Sequence, residues 1–313
     1  MVRVLEAVPN FSEGRDLSIV RALVDVIAEH DVEVLDWSAD PDHHRCVVTF
    51  IGAPEPVEDA AVAAARLAAS HIDLRRHRGV HPRVGALDVL PFVPLHGLEM
   101  ADAVASARRV GERIADGGVP VYFYGRASDP PGRGLAELRR GGFEALARGW
   151  PPGRHPDLPP GSLAPHPSAG VTCVGARPVL LAWNISVAGI DVGQARAIAS
   201  RLREQGGGIP GLRALGLHLV EGNRMQISMN LEDTERTSPL LVFDRVESEV
   251  TALGGKVLET EVIGMIPDTL VHPDSAGRLK LPDLGPARVL SHRVAEYVSA
   301  RGGGRTEISD ITP

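Results

Sequence analysis

Residues 32–52, VEVLDWSADPDHHRCVVTFIG, decide the fold. Two strand-like runs, 32–37 and 46–52, flank the turn-forming Ala39-Asp40-Pro41-Asp42. The sequence on either side supplies their cover. Upstream, Ile19, Leu23, Val26 and Ile27 recur at helical spacing over 17–30 behind Asp16, a natural helix cap, and residues 2–8 alternate as a strand. Downstream, an Ala-rich stretch over 56–70 reads as a helix and 86–95 as an apolar strand. The order is βαββαβ, the split βαβ of ferredoxin-like sheets. Residues 99–116, 119–125 and 134–148 extend this unit as helix, strand and helix.

From Pro151 to Gly170 the chain reads PPGRHPDLPPGSLAPHPSAG, which cannot be regular structure. A plain linker is one reading; but the stretch is long for a connection, and long ordered loops are often functional. His155, His166 and Ser168 give it polar groups to offer. Beyond it the same rhythm returns: strand 179–187, helix 191–205, strands 212–221 and 224–231 around Gly222-Asn223, helix 239–254 and strand 256–263. Ser238 and Pro239 open the last of those helices. The expected architecture is α+β: two ferredoxin-like (βαββαβ) subdomains, 1–178 and 179–313, with a ligand cleft or tunnel between them.

Of the 313 residues, 43% are hydrophobic, enough for two cores, and the formal net charge is −7. That acidity argues against nucleic-acid partners, and the one basic run is too short to track a phosphate backbone. The N-terminus lacks the layout of a signal peptide, and no apolar run is long enough to span a bilayer. Two cysteines build no disulfide framework. The expectation is a reduced, cytoplasmic protein that binds no membrane.

The basic run is Arg75–Arg83, RRHRGVHPR, with four arginines, two histidines and no carboxylate. It feeds the 86–95 strand, a place to meet an anionic small molecule. His77 and His81 have the spacing of helical metal ligands, but Gly79 and Pro82 break any helix and no third ligand is evident, so no metal is expected. Single histidines are mostly structural. His81 stands out because neighbouring guanidinium charge lowers an imidazole pKa and keeps it a neutral base. Asp88, on the following strand, could orient that ring or a substrate amine, or simply end a strand. Arg45 could project from a strand mouth into the same cleft, although a surface arginine is the ordinary reading. Asn10 reads as a turn residue after strand one. Gln226 and Asn230 alternate with Met225, Ile227 and Met229, so they face either solvent or the cleft opposite the basic run. No Walker, GxGxxG or GxSxG motif is present.

Several stretches resemble the formiminotransferase family: VPNFSEGRD at 8–16, HRCVVTFIG at 44–52, HRGVHPRVGALDVLPFVPL at 77–95, HPSAGVTCVGAR at 166–177, LAWNISV at 181–187, MQISMNLED at 225–233 and ETEVIGMIP at 259–267. The resemblance implies two ferredoxin-like subdomains, a folate tunnel between them and a homodimer. It implies transfer of the formimino group from N-formimino-L-glutamate to N5 of tetrahydrofolate, the co-substrate, with no metal. The family's catalytic histidine falls on His81. Its folate-binding segment falls on Gly161, Ser162, Leu163, Ala164, Pro165, His166, Pro167, Ser168, Ala169 and Gly170. Asn10 and Arg45 fall on substrate or folate contacts. His77, Arg83, Asp88, Gln226 and Asn230 are further candidates for binding, the arginines for carboxylates. Another formyl or formimino amino-acid donor, or a folate-binding module without activity, are the other readings the residues allow.

Overall fold

A computed structural model describes residues 2–220, 223–271, 275–282 and 284–302. The first half contains Leu5–Ala7 (β1), Asn10–Phe11 (β2), Leu17–Ala28 (α1), Val32–Asp40 (β3), Arg45–Gly52 (β4), Pro54–His71 (α2), Leu87–Pro94 (β5), Met100–Asp116 (α3), Val121–Gly125 (β6), Leu135–Leu138 (α4), Gly142–Leu146 (α5) and Thr172–Ala176 (β7). The second contains Leu181–Ala188 (β8), Val192–Leu202 (α6), Leu212–Leu219 (β9), Arg224–Leu231 (β10), Pro239–Ala252 (α7), Lys256–Ile263 (β11), Ser275–Arg278 (α8) and Leu290–Arg301 (α9). The chain is α+β, as the order of elements predicts.

Across the first sheet the order is β3, β4, β1 with β2, β5, β7, β6. β1 and β2 are one strand interrupted at Val8-Pro9, because Ala7 opposes Phe50 and Asn10 opposes Val47 in unbroken register. Pro9 has no N–H for the ladder, and the strand resumes beyond it. Asn10 therefore lies in a strand, between Val47 and Val89, and not in a turn. The second sheet is antiparallel throughout, in the order β11, β8, β10, β9.

Strand alternation gives each sheet an apolar face under its helices and an opposite face that carries the buried polar residues, in the first sheet beside two smaller apolar clusters. Leu5, Ala7, Phe11, Val48 and Phe50 join the core under the helices. Glu6, Asn10, Arg45 and Thr49 point the other way. In the second sheet Trp183, Ile185, Ile227 and Met229 form the core, whereas Asn184, Ser186 and Gln226 are buried polar residues on the opposite face.

Three features depart from the expected elements. β7 is a strand where none is expected; it is short, made of small residues, and pairs in parallel with both β5 and β6. The expected helix over 134–148 is two short helices, broken where Gly141 and Gly142 take positive φ of 81° and 63°. α9 follows the last expected element and packs Tyr297 on Val4 and Ile51. Gly222, of the expected hairpin turn, lies outside the described residues.

Candidate active site

Asp88, in β5, is fully buried. Its Oδ2 accepts from Arg45 at 2.8 Å and from Arg139 at 2.5 Å, and its Oδ1 accepts from the Val84 N–H at 2.8 Å. Burial alone would raise this carboxyl; the Arg139 and Arg45 charges overcome that and hold it well below the usual carboxylate range. Arg45 also donates to Asn10 Oδ1 at 2.9 Å, and Asn10 Nδ2 is tied to the Val8 carbonyl. Two guanidinium groups thus share one carboxylate and leave a net positive charge. The Arg139 Nε is buried with no hydrogen-bond partner. Such a cluster can receive an anion.

His81 borders it. The ring is half-buried, and its Nδ1 lies 2.8 Å from the Pro82 carbonyl. A carbonyl only accepts, so Nδ1 carries the proton and Nε2 presents a lone pair. Loss of hydration, then the charges of Arg45 and Arg139, push its pKa well below 6.5, against the pull of Asp88. His81 is a neutral base. His43 lies beside it, ring centroids 5.7 Å apart, and donates from Nε2 to Gln226 Oε1 of the second half at 2.9 Å.

The rest of the basic run is largely structural. His77 donates from Nε2 to the His44 carbonyl at 2.8 Å, accepts at Nδ1 from Arg83 at 2.8 Å, and stacks on His44 at 4.2 Å. Burial is the main cause that lowers its pKa to about 4. With both nitrogens engaged it has no proton to exchange. Arg83 meets Glu144 in a two-pronged pair at 2.6 and 2.9 Å, so its guanidinium is already neutralised. Arg75 is clamped on Asp73, just upstream, and Arg78 donates to the carbonyls of Arg75 and His77. Arg45 and Arg139, both outside this run, hold the open charge.

The Pro-rich loop is tied down at its end. His166 Nδ1 accepts from the Ala169 N–H at 2.9 Å, the backbones of His166 and Gly170 bond each other at 3.0 Å, and Leu74 N donates to the Ser168 carbonyl. Ala169 is buried, and Gly170 adopts φ +70°. A Cβ at Gly170 would stand 2.0 Å from the Val84 carbonyl, so glycine is required where the loop crosses the segment after His81. Toward the tip, Ser162 holds Trp150 Nε1 through its carbonyl, and Leu163 is 94% exposed. Gly161 also has positive φ, and Ala164, Pro165, Pro167 and Ser168 complete the turn around His166.

Gln226 joins the site through His43. Asn230, four residues on, is exposed and opposes Ala182 and Arg213. Sequence reasoning missed Arg139, His43 and Glu144. His43 had a signal, the pair His43-His44 at the strand mouth before Arg45; Arg139 had none among so many arginines. Among the described residues no group of three His, Cys, Asp or Glu is placed to hold a metal ion.

Fold and site define a two-sheet α+β protein with a neutral imidazole and an unsatisfied guanidinium cluster where its halves meet. The pattern of the formiminotransferase domain, N-terminal subdomain, matches residues 4–177, and that of the formiminotransferase domain matches 182–276. The chain belongs to the formiminotransferase family. It is 35% identical to the glutamate formimidoyltransferase of Thermoplasma acidophilum, over 93% of this chain and 97% of that one. It is 35% identical to that of Streptococcus pyogenes serotype M1, over 85% and 90%. It is 40% identical to the formimidoyltransferase-cyclodeaminase of Rattus norvegicus over 85% of this chain, and spans about half (51%) of that longer relative. No helix among the described residues is long and apolar enough to cross a membrane.

Proposed function

We propose that this chain transfers the formimino group of N-formimino-L-glutamate to N5 of tetrahydrofolate, with His81 as base and then acid. The observation that carries this reading is the neutral His81, its Nε2 without a hydrogen-bond partner among the described residues, beside the Arg45–Asp88–Arg139 cluster. Attack of N5 on the amidine carbon forms an N5–C bond and a tetrahedral centre. His81 Nε2 takes the N5 proton and returns it to the glutamate nitrogen, whose bond to carbon then breaks and releases glutamate. Arg45 and Arg139 hold a donor carboxylate. Placing both substrates in one cleft makes the step effectively intramolecular.

The folate lies between two ferredoxin-like subdomains, 1–178 and 179–313, with 161–170 as its loop. Strand order supports the ferredoxin-like assignment: with β1 and β2 counted as one, each half runs fourth strand, first, third, second. The test is direct. Protein, tetrahydrofolate and formiminoglutamate are mixed, then acidified, and the methenyl-folate absorbance is read. Its appearance only with both substrates is expected; its absence in the wild type sinks the reading.

A further inference from the structure

Two buried polar groups on the sheet face of Asn10 and Arg45 take no part in the chemistry above. Glu6 in β1 opposes Ile51 and Asn10 opposes Val47, so Glu6 and Thr49 belong to the same face as Asn10 and Arg45. Thr49 lies diagonal to Glu6 on the neighbouring strand, close enough for one ligand edge to touch both. Glu6 is 4% exposed, and no donor among the described residues hydrogen-bonds its carboxylate. Thr49 Oγ1 is likewise buried without a partner. From the second half Gly264 closes over it, near enough that a Cβ there would stand 3.1 Å from Oγ1. Buried polar groups are normally paired, and leaving them unpaired is costly. Neighbours Leu5 and Ala7 are wholly apolar and buried, so packing alone does not require a carboxyl in this strand.

We propose that Glu6 and Thr49 read the 2-amino-4-oxopyrimidine edge of the pterin. The assignment rests on the transferase reading above. That edge presents an amino N–H, the N3–H and a carbonyl in a row. A carboxylate offers two acceptors to the first two, as it does to a guanidinium, and a threonine hydroxyl donates to the third. Position favours the pterin over the donor's own amidine. Glu6 is four residues from Asn10, about 13 Å along the strand. The donor's amidine carbon must sit at His81, bonded to N5, whereas the pterin's 2-amino group lies across the fused pyrimidine ring from N5, with the 4-oxo group between them.

Burial lifts the Glu6 carboxyl to about 7, against the pull of Arg177. The other charged or titratable groups around it are Tyr124 of β6, bonded to Arg177; Asp36 of β3, opposite Thr49; Tyr297 of α9, packed on Ile51; and Arg288, which donates to the Gly264 carbonyl. Two N–H donors favour the ionised carboxylate. Folate affinity should therefore rise as pH increases through 7.

Calorimetry with 5-formyltetrahydrofolate tests this. Glu6→Gln, isosteric and neutral, should weaken binding about 10- to 100-fold and abolish the rise with pH, leaving the KM for formiminoglutamate unchanged. A 2-desamino-2-methyl analogue should lose the same factor on the wild type, a measurement that does not depend on the variant's folding, and none further on the variant. Thr49→Val should lose less. Unchanged folate affinity in Glu6→Gln, full affinity of the analogue for the wild type, or a shift confined to the donor's KM would each overturn the proposal. Glu6-dependent folate binding without product would sink the transferase reading and leave this one standing; turnover with Glu6-independent binding would do the reverse.

Discussion

At the scale of single residues, the chemistry turns on which guanidinium groups are already paired. Arg75 and Arg83 are neutralised by Asp73 and Glu144, while Arg45 and Arg139 share the single carboxylate of Asp88. Their surplus charge helps keep His81 neutral, so kcat at saturating folate should stay level as pH falls through 6.5 and drop only below it. Arg139→Met removes one of those charges. It should raise the KM for the donor and move the acid limb of the kcat/KM profile upward, since a lost cation lets the imidazole hold its proton more tightly. His81→Ala should lower kcat by about 10²–10⁴ with folate binding retained in calorimetry. His81 was legible in the sequence because Gly79, Pro82 and the surrounding arginines mark it. Arg139 was not, because its place depends on the break at Gly141-Gly142, which no periodicity announces.

At the scale of elements, alternation and helical spacing made most strands and helices readable, and the exceptions have physical causes. β1 and β2 look like one strand because they are one, with Pro9 subtracting a ladder bond. β7 escaped notice because TCVGA has neither alternation nor bulk, and its burial comes from neighbours far away in sequence. The loop before it ends at Gly170, whose backbone geometry excludes a side chain. Gly170→Ala should lower stability by roughly 2 kcal/mol or more in thermal melts, and should weaken folate binding by displacing the loop from Val84.

At the scale of the molecule, the halves meet through polar faces, as the His43–Gln226 bond illustrates. The unpartnered Glu6 makes stability depend on pH in a definite direction. Its folded carboxyl is lifted from 4.5 to about 7, so the wild type loses stability as pH rises through that window, when the unfolded chain releases the proton first. Glu6→Gln should match the wild type below pH 4.5 and exceed it by about 3 kcal/mol above pH 7, in denaturant titrations without ligand. His77 acts in the opposite sense: held neutral down to about 4, its contribution is lost as pH falls from 6.5 to that value. The two-fold rhythm of strands was legible in the sequence, but how the polar faces meet was not, because that depends on contacts between residues as distant as 43 and 226. The place of β7 has one more consequence, for a chain emerging from the ribosome. β5 and β6 are made long before residue 172, yet the strand that separates them in the sheet is made last. Until it arrives, the nascent first half has a gap between β5 and the edge strand β6, and the unpaired strand edges on both sides of that gap are exposed to wrong partners.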